Sequence, residues 1–163
     1  MKRGSTLFLK IAVILIGLPI LALCIYLLPQ IGIEAFEQAK KGADLAYVVF
    51  AILLVMYVSA IPFYMALYQA LKLLSYIDKN QAFSELSVRA LKTIKRCAIA
   101  ISSLYVVGLP FVFIVAEWDD APGLVLIGMV IIGASMVIAV FAAVLQRLLQ
   151  EAIDIKSEND LTV

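Results

Sequence analysis

Chemistry in this chain would have to come from very few residues. The densest group of charged side chains lies in SYIDKNQAFSELSVRALKTIKRCA, residues 75–98, where Arg89, Lys92, Lys95 and Arg96 follow one another at short spacing. At about 100° per residue in a helix the four cations form one contiguous arc. Phe83, Leu86, Ala90, Leu91, Ile94 and Cys97 fall on the other side. Such an arc binds carboxylates or phosphates through charge and hydrogen bonds and makes or breaks no covalent bond. It reads either as a docking face for an acidic or nucleic-acid-bound partner or as an anchor against anionic headgroups, at about 1 kcal/mol per cation. Direct nucleic-acid binding is not expected. Four cations at a membrane surface compete with lipid, and no recognition motif accompanies them.

Catalytic chemistry has little to stand on. The chain holds two cysteines, Cys24 and Cys97, and no histidine. With no CxxC pair and no Cys/His cluster, neither a zinc site nor a haem attachment is expected. The usual general base near neutral pH is missing. No nucleophile–base pair or phosphate loop appears. The expectation is a non-enzymatic protein with no catalytic, metal or cofactor site. One other charged cluster, Glu117, Asp119 and Asp120 around Trp118, could attract cations weakly. The following Pro122–Gly123 makes a solvated turn the plainer reading.

The elements that must carry these groups are set by composition. The chain is 64% hydrophobic and 15% charged, with a mean hydropathy of +1.06. A water-soluble domain is about half apolar and about a quarter charged, so the fold must bury itself in lipid. A hydrocarbon core of about 30 Å takes roughly 20 apolar residues in a helix. Four runs supply them, at about 7–28, 45–71, 97–116 and 124–145. None shows the polar face of a soluble helix or the alternation of a barrel strand. The first run has a basic start but is too long for a signal core and lacks an A-x-A site. LALC at 21–24 has Leu23 where a lipoprotein box needs a small residue, so a retained helix is expected.

Lysine and arginine counts set the direction. With both termini cytoplasmic, eleven basic residues lie inside and two, Lys40 and Lys41, outside. The predicted fold is therefore all-α: a single polytopic membrane domain over 1–163, with a cytoplasmic loop at 72–96 and a cytoplasmic tail at 146–163. Cys24 and Cys97 then sit at opposite ends of the bilayer, too far apart for a disulfide.

The loop and tail carry the local signals. DKNQ at 78–81 reads as a turn, and Ser84 as an N-cap with Glu85 in the first turn. Nothing breaks the helix again before Gly108 and Pro110, which predicts one continuous helix from Glu85 through the third span. The tail, QRLLQEAIDIKSENDLTV, continues the fourth helix with an apolar strip beside Glu151 and Asp154. That acidic side could meet the basic arc, while SENDLTV reads as disordered. Pro19, Pro62 and Pro110 interrupt spans and are expected to kink them. Ser135, Ala139 and Ala143 make a small-residue stripe for close helix approach. Its partner would be another span of the same chain or, in a homo-oligomer, a second subunit.

IDKNQAFSELSVRALKTIKRCAI and LLQEAIDIKSENDLTV resemble a family of small bacterial four-span membrane proteins catalogued as domain-of-unknown-function family 2975. The likeness covers nearly the whole chain. It implies a multi-pass protein of the bacterial cell membrane. Members are often encoded beside a small Cro-like helix-turn-helix regulator, so the resemblance implies a cytoplasmic DNA-binding partner held or silenced at the membrane. The expected docking residues are Phe83, Leu86, Arg89, Lys92, Lys95, Arg96, Glu151 and Asp154. The alternative is a small transporter or channel-like protein for cationic compounds. It predicts a polar cavity near Tyr64, Tyr68, Ser102 and Ser103.

Overall fold

The computed structural model describes residues 3–42 and 44–161. Lys2, the Arg3 side chain and residues 162 and 163, all used in the charge and tail readings above, lie outside the described part. The described chain is helical. It comprises α1 (Arg3–Ala22), a π-helical turn (Leu23–Leu27), α2 (Leu28–Lys40), α3 (Leu45–Asp78), α4 (Glu85–Trp118) and α5 (Gly123–Leu161). Four continuous stretches are long and apolar enough to cross a membrane: Gly4–Lys40, Leu45–Asp78, Glu85–Trp118 and Gly123–Leu161.

The spans run further than hydropathy alone marks. Residues 29–40, read as loop, are helical as α2, because the chain passes Pro29 without breaking. The π turn explains how. The Leu28 N–H reaches back to the Leu23 carbonyl, a widened step that eases the chain past the proline ring. In that register the Cys24 carbonyl would look to Pro29, which has no N–H. The Tyr57 hydroxyl donates to it instead, at 2.9 Å. Pro19, Pro62 and Pro110 likewise sit within continuous helices. Within the stretch 72–96, α4 starts at Glu85 as expected, and α3 runs on to Asp78, which leaves residues 79–84 as the turn between them. SENDL, read as disordered, is the last part of α5 through Leu161.

Each helix packs mainly on its sequence neighbour: α1 and α2 on α3, α3 on α4, and α4 on α5. All the seams are antiparallel. Lys10 lies opposite Asp78 and Tyr64 donates to the Gly17 carbonyl. Val55 faces Gly108 and Leu109 faces Gly128. Both described ends of the chain and the 79–84 turn therefore share one end of the molecule.

The seams are close because small residues line them. A Cβ on Gly108 would lie 3.2 and 3.3 Å from the Val55 methyls, and one on Gly128 3.1 Å from Leu109 Cδ1. Buried residues are mostly small: Ala46, Ser59, Ala98, Ser102, Ser135, Ala139 and Ala142. Large side chains such as Phe8, Leu15, Ile61, Val107 and Phe141 point outward. This is an inverted economy suited to lipid, where leucine gains little by moving from acyl chains to protein and close backbone contact matters more. The stripe on α5 is spent within the chain: Ser135, Ala139 and Ala142 are buried, and Ala143 is only half-buried.

Candidate functional site

The shared end is built on the 79–84 turn. Asn80 takes a left-handed φ of 59°, which asparagine tolerates better than most residues. Ser84 then caps α4: its Oγ accepts from the Ser87 N–H at 3.4 Å and donates to the Gln81 carbonyl at 2.6 Å. Ser87, fully buried, donates from its own Oγ to the same carbonyl at 3.1 Å. Two hydroxyls thus tie the turn to the first turn of α4 and set the direction in which its basic residues project.

Arg89, Lys92 and Arg96 are exposed and Lys95 is half-buried. Among the described residues none of the four is held in an ion pair. On the opposite face Val88, Ala90, Leu91 and Cys97 are buried. Phe83 and Leu86 depart from the predicted apolar side. Phe83 is 63% exposed and Leu86 45%. Phe83 stands in the bend before the N-cap, where helical periodicity does not apply. Leu86, one residue into the helix, lies at the margin of the packed face. Both therefore stand as apolar groups beside the cations.

The tail joins this platform. Gln150 Nε2 lies 3.2 Å from Glu85 Oε1 and 3.2 Å from Asp154 Oδ1, bridging the start of α4 to the outer part of α5. Glu151 and Asp154 are exposed. They do not form salt bridges with the basic arc, as the sequence reading allowed. The helices instead bring Lys95 and Glu151 to the walls of one crevice of about 460 Å³, with Gln146, Arg147 and Gln150.

A contact the sequence reading missed closes the other side. Lys10 Nζ and Asp78 Oδ2 form an ion pair at 2.8 Å, with both side chains about three-quarters buried. The sequence shows a cation at the start of one apolar run and a carboxylate at the end of the next, and the antiparallel packing of α1 on α3 brings them together. Lys72 lies 4.8 Å above the Tyr68 ring.

The residues of the alternative reading are not gathered around one cavity. Tyr64 is engaged on Gly17. Tyr64 and Tyr68 line two lateral grooves with apolar neighbours, one with Ala60, Ile61 and Met65 and one against α1. Ser102 is buried in helix packing and Ser103 is exposed, and neither lines those grooves. No group of residues suited to holding a metal ion occurs among the described residues. At the far end Glu117, Trp118, Asp119 and Asp120 are exposed around a tight turn.

These features define a small polytopic helical membrane protein with a polar platform at one end. Residues 33–163 match the model of the family described as "Protein of unknown function (DUF2975)", and the chain belongs to that family. It is 64% identical, over the full length of both chains, to the "Uncharacterized membrane protein YoaS" of Bacillus subtilis (strain 168). No solved structure matches. The four spans and this kinship make it a multi-pass bacterial membrane protein.

Proposed function

We propose that this protein is non-enzymatic and that its polar end, facing the cytoplasm, docks or controls a small helix-turn-helix transcription regulator. Arg89, Lys92, Lys95 and Arg96 supply the charge, Phe83 and Leu86 the apolar contact, and the α5 extension with Glu151 and Asp154 the remaining surface. One observation carries the reading: three exposed cations, with no counter-ion among the described residues, stand beside two exposed large apolar side chains. The cation bias along the chain supports a cytoplasmic placement. A shift in helix packing, driven from the bilayer or the outer turns, would alter the grip on the regulator.

The test is coexpression with the small Cro-like regulator that the family resemblance implies, followed by affinity purification in mild detergent. Retention of the regulator, lost in the Arg89→Ala/Lys92→Ala/Arg96→Ala variant while the membrane protein itself is still recovered, is the expected result. Failure of the regulator to co-purify with the unaltered chain counts against the proposal.

A further inference from the structure

The helix α5 keeps an apolar stripe after it has left the level of the other helices. Near the start of α4 it is held by the hydrogen bond from Gln150 to Glu85. Residues 151–161 run about 16 Å further at 1.5 Å per residue. Along the outer face of α5, Phe141, Leu145, Leu148, Ala152 and Ile155 alternate steps of four and three. Phe141, Leu145, Leu148 and Ile155 are each more than half exposed. The same phase runs back through Ile138 and Ala134 into the apolar span. Within the bilayer, lipid covers such a face. Beyond Arg147 it does not, and exposed leucine and isoleucine in register call for a protein surface.

The charges decide which surface. Lipid is disfavoured because Glu151, Asp154, Glu158 and Asp160 outnumber Lys156 there, and an anionic leaflet repels them. Among the described residues, α5 packs on α4 through a different face, that of Ser135, Ala139 and Ala142, and has no comparable contact with α1, α2 or α3. The stripe is flanked by Glu151 on one side and Lys156 on the other. In a parallel two-stranded seam a flanking residue meets the opposite flank of its partner about five positions on. Glu151 of one copy thus meets Lys156 of the other, twice by symmetry. Copies inserted with the same topology present α5 in the same direction, so a two-fold axis along the membrane normal gives this parallel arrangement.

We infer that the outer face of α5 is a self-association surface, on which two copies of this chain pair through Phe141, Leu145, Leu148, Ala152 and Ile155 with Glu151–Lys156 bridges between them. The inference does not need the docking reading, although the two share Glu151. Dimerisation takes up Glu151 and leaves Asp154 and the basic arc open.

Disulfide cross-linking in native membranes tests it. In a Cys24→Ala/Cys97→Ala background, Leu148→Cys and Ile155→Cys are compared with Ile153→Cys and Asp154→Cys. The expected result is a band of twice the chain mass at 148 and 155, several-fold stronger than at 153 and 154. In the Leu148→Cys chain, Glu151→Lys or Lys156→Glu alone should lower that band several-fold, and the two together should restore it. Equal cross-linking at all four positions, no doubled band, a heterologous adduct in its place, or a double charge reversal no better than the singles would each overturn the inference.

Discussion

At the scale of single residues, two side chains settle problems that the backbone creates. Tyr57 donates to the carbonyl that the π turn and Pro29 leave without a helical donor. Tyr57→Phe should lower stability by about 0.6–2 kcal/mol, measured by unfolding in mixed micelles. A neutral change would mean that the carbonyl finds another donor. Lys10 and Asp78 form an ion pair in a partly buried setting, between the weak exposed pair and the strongly coupled buried one. Lys10→Met or Asp78→Asn should cost about 1–3 kcal/mol. The exchange Lys10→Asp/Asp78→Lys should recover part of the loss in the same assay, since it restores the opposite charges but not the geometry. In the sequence Lys10 is a charge near the start of the first apolar run, and Asp78 reads as part of a turn. Nothing local could pair residues so far apart along the chain.

At the scale of elements, α4 is one helix with two tasks, half packing surface and half platform. Its start depends on Ser84 and Ser87 holding the Gln81 carbonyl. Ser84→Ala should cost about 1 kcal/mol and speed amide exchange over the first turns of α4 while the membrane part remains protected. The α3–α4 seam depends on Gly108. Gly108→Leu drives a branched side chain into Val55, which cannot retreat without parting two backbones. That variant should lose stability by about 1–3 kcal/mol, visible as a lower melting temperature in detergent. Gly133, where a Cβ meets nothing within 4 Å, should accept alanine without loss. The continuous helix from Glu85 was legible in the sequence because its cap, first-turn acid and missing breakers all agree. The extension α2 was not, because a proline ordinarily ends a span and a π turn leaves no compositional mark.

At the scale of the whole molecule, the antiparallel seams put both described ends and the basic arc together, whichever way the chain is inserted. The direction we propose, with that end in the cytoplasm, rests on the cation bias. A single cysteine introduced as Lys79→Cys, with Cys24 and Cys97 replaced by alanine, should label with a membrane-impermeant maleimide only after cells are opened. Asp119→Cys should label in intact cells. The reverse pattern would place the platform outside and end the docking reading.

The amino-acid sequence by itself determined the class of this protein and the number of its crossings, because hydrocarbon leaves a chain this apolar no other way to satisfy its backbone. It also placed the basic arc on one helix face, since that follows from spacing alone. The tertiary structure decided what spacing cannot: that the helices pack in chain order, that the small stripe of α5 is used on α4, and that Phe83 and Leu86 stand outside the packing. Those outcomes depend on which faces meet. Between helices surrounded by lipid, that choice rests on small differences in close contact rather than on hydrophobicity, the one property a linear sequence displays most clearly.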